Sequence, residues 1–147
     1  MNILDTIVAH KKGEVAARKA KTSLKDLEAR TAFSIPARPL SAALLKEGST
    51  GIIAEFKRKS PSKGFIKENA DVNEITSAYT RFGAACLSVL TDINFFGGSD
   101  EDLAQARKND IPILRKDFIV DEYQVAEAKS IGADVILLIA ACLTPAE

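Results

Sequence analysis

Apolar residues near the start of the chain recur at helical spacing. Ile3, Leu4, Ile7, Val8, Val15 and Ala16 repeat in this way, with Lys11, Lys12, Glu14, Arg18 and Lys19 between them. Ser23 reads as an N-cap before a second helix over Leu24 to Ala29. Ser34 to Pro39 is a linker broken by Pro36 and Pro39. Ser41 to Lys46 is a third short helix closed by Gly48. The first fifty residues therefore read as helical. From residue 51 the pattern changes. Gly51 to Lys57, Cys86 to Thr91, Pro112 to Lys116 and Val135 to Ala141 are short apolar runs of strand length. Asp71 to Phe82, Ser99 to Lys108 and Asp121 to Ile131 are the helices between them. Ser99 is placed as an N-cap, with Asp102 at the capping-box position where Glu or Gln is usual.

Strands alternating with helices at this spacing predict βαβ units, right-handed crossovers and a parallel sheet. The strands are apolar on both faces apart from particular charges, so a sheet covered on both sides is expected. Thr144-Pro145-Ala146-Glu147 has the form of a helix start, with Thr at the cap and Pro at the first helical position. Four βα units cannot close an eight-stranded barrel. The expectation is the N-terminal portion of a longer protein: a helical extension over residues 1–48, then a partial (β/α) barrel over residues 49–147.

Composition narrows the function. The chain has 147 residues, 46% hydrophobic and 27% charged, as an ordinary globular domain does. Twenty Lys and Arg balance twenty Asp and Glu, which argues against a global nucleic-acid footprint. The apolar run Val135 to Leu143 falls far short of the roughly 20 residues of a membrane helix. Cys86 and Cys142 both sit in apolar runs and read as buried free thiols of a reducing cytoplasm. His10, on the polar side of the first helix, has no second His and no Cys at ligand spacing, so a metal site has little support.

The chemistry concentrates in two segments. In Glu55-Phe-Lys-Arg-Lys-Ser-Pro-Ser-Lys-Gly64, Glu55 and Lys57 are two apart on a strand and share a side. A charged pair at the C-terminal end of a parallel strand costs desolvation, and that end is where α/β proteins bind ligands. An ion pair plugging the barrel mouth is the bland alternative. Lys57 to Lys67 carries five cations and no acid, which suits an anionic ligand. The outer cations Arg58, Lys63 and Lys67 read as solvated charge. In Pro112 to Val120, Lys116 lies at the end of a strand, where it would converge with Lys57 over the mouth. Such a lysine serves as a general acid or as a Schiff-base nucleophile. Arg115 and Asp117 should point into the packing against helices. Phe95 and Phe96 either wall an apolar pocket or pack a loop, and Gly97 and Gly98 ahead of a helix could bind an anion.

These segments, with Leu87-Ser-Val-Leu-Thr-Asp92, Phe96-Gly-Gly-Ser99, Ile113 to Gln124 and Ala133 to Ile139, resemble indole-3-glycerol-phosphate synthase, a (β/α)₈-barrel lyase that carries a helical N-terminal extension. The resemblance covers the whole chain but only a little over half of a family member. It implies ring closure, decarboxylation and dehydration of 1-(2-carboxyphenylamino)-1-deoxyribulose 5-phosphate, without cofactor or metal. In the family pattern Lys116 matches the general acid at the ribulose carbonyl. Lys57 matches a lysine near the carboxylate and the departing hydroxyl, and Glu55 its acid/base partner. Ser60 matches a substrate-contacting serine, and Phe96, Phe118 and Leu137 the apolar wall around the aromatic ring. Family residues beyond position 147 are needed for the rest of the site, so negligible turnover by this chain alone is expected, together with self-association through open strand edges. A Schiff-base aldolase on a similar barrel and a non-catalytic half-barrel folding unit are the alternatives.

Overall fold

The computed structural model describes residues 2–146. Four helices come first: α1 (Ile3–Lys21), α2 (Leu24–Glu28), α3 (Thr31–Ser34) and α4 (Leu40–Leu45). Asn2 and Ser23 open α1 and α2 with reciprocal capping boxes to Asp5 and Asp26. The chain then alternates: β1 (Ile53–Phe56), β2 (Lys59–Ser60), β3 (Gly64–Phe65), α5 (Val72–Arg81), β4 (Cys86–Leu90), α6 (Asp100–Ala106), β5 (Ile113–Lys116), α7 (Tyr123–Ser130) and β6 (Val135–Ile136). Asp71 and Ser99 cap α5 and α6, accepting from the Glu74 and Asp102 backbone N–H groups.

β1, β4, β5 and β6 form one parallel sheet in sequential order. Strands joined in order through helices, always stepping the same way, are the opening units of a (β/α) barrel. Register fixes the two faces. Phe56 lies level with Val89, and Leu87 with Ile113. These four bury the helix-facing side against Val72 of α5, Leu103 and Ala106 of α6, and Ala128 of α7. Glu55 is level with Ser88, Ser88 with Leu114, and Leu90 with Lys116, so the chemistry shares the other face.

Several expectations need correction. The sheet is fully covered on its helix side but only partly on the other, where Ser88 and Leu90 are buried while Ile53, on the edge strand, is 42% exposed. The fourth strand ends at Ile136 and gives way to a 3₁₀ turn at Ala140–Cys142, so Cys142 is half-buried while Cys86 is fully buried. The helix expected from Thr144 is a turn at residues 145–146, and Glu147 lies outside the described residues. The segment after β1, read as a loop, folds into an antiparallel hairpin of β2 with β3. α6 stops at Ala106, two residues short of the expected end, and Asp102 turns its carboxylate to Arg58 in place of closing a capping box. On α1 the buried stripe is Ile7, Lys11 and Val15, while Ile3 and Ala16 are exposed. A lysine between apolar positions turns out to be inside.

Among the described residues no helix is long and apolar enough to cross a membrane. Among the same residues no group of three or more His, Cys, Asp or Glu is placed to hold a metal ion.

Candidate active site

Strand geometry alone brings three charges together. Glu55 is on β1, Lys57 follows it two residues later, and Lys116 ends β5, two strands away. The Glu55 carboxylate spans the gap. Its Oε2 lies 3.1 Å from Lys116 Nζ, and its Oε1 lies 3.4 Å from Lys57 Nζ. Ser88, on the strand between, donates its hydroxyl to the same Oε2 at 3.1 Å. Glu55, Lys57 and Lys116 keep 31%, 33% and 35% of their side chains exposed, so all three remain within reach of a ligand.

Burial pushes the Glu55 carboxyl up, but the hydrogen bond and charge of Lys116, the Ser88 hydroxyl and Lys57 outweigh it and hold the group below its ordinary value. Glu55 is therefore an anion at neutral pH that orients two ammonium groups. Tyr79 Oη, donating to the Glu55 carbonyl at 3.3 Å, fixes the strand from the α5 side. Ser88 was not singled out from the sequence. The signal was present, because a serine in an apolar strand at the register of Glu55 has to find a polar partner.

The rest of the site is built from loops at the same end. Ser60 is buried, accepts the Lys63 N–H at 3.3 Å and sits 3.4 Å from the Ser62 hydroxyl. An open cleft of about 470 Å³ runs past Lys57, Ser60, Lys63, Ile66 and Phe96, with Ile3 and Ile7 of α1 as its far wall. Phe96 and Phe118 meet with ring centroids 6.0 Å apart and planes tilted by 38°. Leu137 follows β6 and is half-buried. Val135, two residues earlier, is level with Leu114, so Leu137 falls on the inner register of the sheet.

Other candidates are used differently. Phe95 parts from Phe96 and meets His10 edge-on at 5.6 Å. Neither glycine offers its N–H to an anion: Gly97 donates to the Ile93 carbonyl at 3.0 Å and Gly98 to the Asp92 carbonyl at 2.8 Å. Gly98 is required for another reason, since a Cβ there would stand 2.1 Å from the Leu90 carbonyl oxygen. Arg58 is not solvated. It is paired with Asp102 and its guanidinium lies 4.8 Å over the Phe56 ring. Arg58 thereby ties the end of β1 to α6, and Lys59, donating to the Asn94 carbonyl at 2.9 Å, ties the hairpin to the loop after β4. Lys63 and Lys67 are exposed, as expected.

Arg115 and Asp117 point into the packing, as the alternation required. Arg115 is buried against Thr91 at 3.0 Å, the Gln124 carbonyl at 3.2 Å and Glu127 at 3.4 Å. Asp117 accepts from the Thr91 hydroxyl at 2.6 Å and meets Lys11 Nζ at 3.1 Å. Burial drives the Asp117 carboxyl up, yet the charges of Lys11 and Arg115 bring it below its ordinary value.

The family model for indole-3-glycerol phosphate synthase matches residues 4–147. A protein of that name from Bacteroides thetaiotaomicron is 49% identical over 97% of this chain and 55% of its own length. Namesakes from Acidithiobacillus ferrooxidans and Acinetobacter baumannii are 46% and 48% identical, over 57% and 53% of their lengths. The chain thus spans about half the length of the curated relatives it matches.

Proposed function

Because the chain belongs to the indole-3-glycerol phosphate synthase family, we propose that it carries the acid–base part of that lyase's site. The substrate is 1-(2-carboxyphenylamino)-1-deoxyribulose 5-phosphate. The observation that supports this most is the single Glu55 carboxylate held between Lys116 at 3.1 Å and Lys57 at 3.4 Å. Closing a ring on a carbonyl carbon requires a proton at the carbonyl oxygen. Lys116, hydrogen-bonded at the strand end, is set up to donate it. Lys57 faces the cleft beside Ser60, where a cation meets the substrate's carboxylate and then the departing hydroxyl. Glu55 keeps both ammonium groups in register and exchanges protons with them. Phe96, Phe118 and Leu137 wall the aromatic ring, and Ser60 contacts the substrate. The reading involves no metal and no cofactor. It places the protein in the cytoplasm, where Cys86 and Cys142 stay reduced.

The test is fluorescence detection of indole-3-glycerol phosphate, using this chain alone and mixed with the C-terminal half of the Bacteroides thetaiotaomicron relative. The chain alone gives negligible turnover and the mixture restores it. In the restored enzyme Lys116→Met lowers kcat by about 10²–10⁴-fold, the usual contribution of a positioned general acid. Full activity in Lys116→Met removes the assignment. Borohydride trapping with a ketose phosphate separates this reading from the Schiff-base alternative, which requires a covalent adduct at Lys116.

The sheet's open edges complete the reading. Among the described residues β1 and β6 each have one unpaired side, and Ile52, Ile53 and Leu138 lie exposed near them. Two chains of four strands supply the eight parallel strands that closure needs, so a second copy is the occupant. Sedimentation at micromolar concentration yields a dimer that the C-terminal half displaces; a clean monomer rules the dimer out.

A further inference from the structure

A second group of charges lies behind the aromatic wall, and the chemistry proposed above does not use it. Lys11 of α1 is 1% exposed. Its ammonium meets Asp92 Oδ1 at 2.8 Å, Glu14 Oε2 at 3.0 Å and Asp117 Oδ1 at 3.1 Å. Asp92 follows β4 and Asp117 follows β5, so one side chain from the N-terminal helix bridges the ends of two neighbouring strands.

Each of those carboxylates has a further partner. Asp92 Oδ2 accepts the backbone N–H groups of Phe95 at 2.8 Å and Phe96 at 3.2 Å. Asp117 Oδ1 accepts the backbone N–H of Phe118 at 2.8 Å. Phe96 lines the cleft, and its ring meets that of Phe118. The route is short on both arms: ammonium, carboxylate, backbone amide, ring. An apolar trio of equal volume would hold α1 in place about as well, because a buried ion cluster spends most of its attraction on desolvation. It would not aim two amides on separate loops.

From this geometry we infer that Lys11 is a positioning residue, setting the spacing and tilt of Phe96 and Phe118 from behind. The inference rests on the proposed function for the ligand it serves, a planar aromatic carboxylate held against the paired rings. The helical extension thus shapes a wall of the site without itself touching the ring.

Backbone amide exchange by NMR on the 147-residue chain reads the two arms separately. In Lys11→Met the Phe96 and Phe118 amides exchange about tenfold faster, the effect of losing one supporting hydrogen bond. The nuclear Overhauser contact between the two rings is lost, and the core amides of Leu87 and Leu103, which exchange through global unfolding, report the overall loss of stability separately. Lys11→Arg, which keeps the charge, restores part of the protection. Asp92→Asn loosens Phe95 and Phe96 but not Phe118, and Asp117→Asn loosens Phe118 but not Phe96, which keeps the test decisive if Lys11→Met does not fold. Unaltered Phe96 and Phe118 exchange in folded Lys11→Met overturns the inference. So does equal acceleration of both amides by both aspartate variants. Fluorescence titration with N-methylanthranilate tells the two proposals apart. Rings that separate in Lys11→Met of a chain that binds no N-methylanthranilate leave the positioning role standing and count against the lyase reading.

Discussion

Two clusters that pair lysine with carboxylates lie at the strand ends of this molecule, and they differ in solvent access. Glu55, Lys57 and Lys116 sit on the open face of the sheet, each about a third exposed. Lys11, Asp92, Asp117 and Arg115 sit behind the strand ends with 3% or less of their surface exposed. Lys116 and Asp117 are adjacent in sequence, yet they belong to different clusters because the chain alternates its faces there. Charge at a strand end therefore does not distinguish chemistry from architecture. Solvent access does. The first cluster keeps room for a ligand, whereas every member of the second is occupied by protein.

That contrast is broken most severely from the buried side. Asp117→Ala leaves Lys11 and Arg115 without a carboxylate they both contact. The expected loss is about 3–5 kcal/mol, the range for stripping one partner from a buried ion pair. Lys116→Met, one residue earlier, changes stability by less than about 1 kcal/mol, because a part-exposed pair contributes little. Urea denaturation of both variants measures the difference. Equal losses would place Lys116 in the architecture and weaken its assignment as the proton donor.

Titration sharpens the comparison. The Asp117 carboxyl is lowered in the fold, so its contribution is complete above its unfolded value of about 3.9 and disappears as pH falls through the lower folded value. Lys11 runs the other way. Burial lowers its ammonium, but Asp117 and Asp92 raise it further, so its contribution is complete below about 10.4 and is lost only as pH rises through the higher folded value. Urea midpoints across pH should show a plateau between these limits. Asp117→Asn flattens the acid arm and Lys11→Met the alkaline arm. An acid arm of unchanged slope in Asp117→Asn would show that Asp117 does not carry it.

The same contrast explains what was legible in the residues. The helix-facing side of the sheet declared itself, since Phe56, Leu87, Val89 and Ile113 form apolar runs bounded by glycines and helix caps. The open cluster was legible too, because period-two spacing put Glu55 with Lys57, and a strand end exposed Lys116. The buried cluster was not. Lys11 occupies the helical stripe of Ile7 and Val15, but a lysine letter reads as solvent, and its partners are distant in sequence. Nothing local announces a carboxylate at Asp92 or Asp117 waiting for it. The β2–β3 hairpin escaped because pairs of two residues carry no periodicity. β6 was read too long because apolar letters continue after Ile136 while the pairing with β5 stops.

The smallest effect comes from a third kind of charge pair. Lys19, two turns along α1 from Lys11, donates to Asp121 at 2.9 Å, with 46% of the lysine and 31% of the aspartate side chain exposed. The Asp121 carboxyl is lowered first by the backbone N–H of Tyr123, with Lys19 adding less. Its low value is thus a feature of the loop before α7, and it persists without the lysine. Lys19→Ala should shift stability by no more than about 0.5 kcal/mol, with most of that gone at high salt, as surface pairs behave. The same helix then carries one lysine whose loss loosens the aromatic wall and another whose loss is barely measurable. A large salt-insensitive penalty for Lys19→Ala would mean that α1 is held along its whole length and would remove Lys11 from its special place.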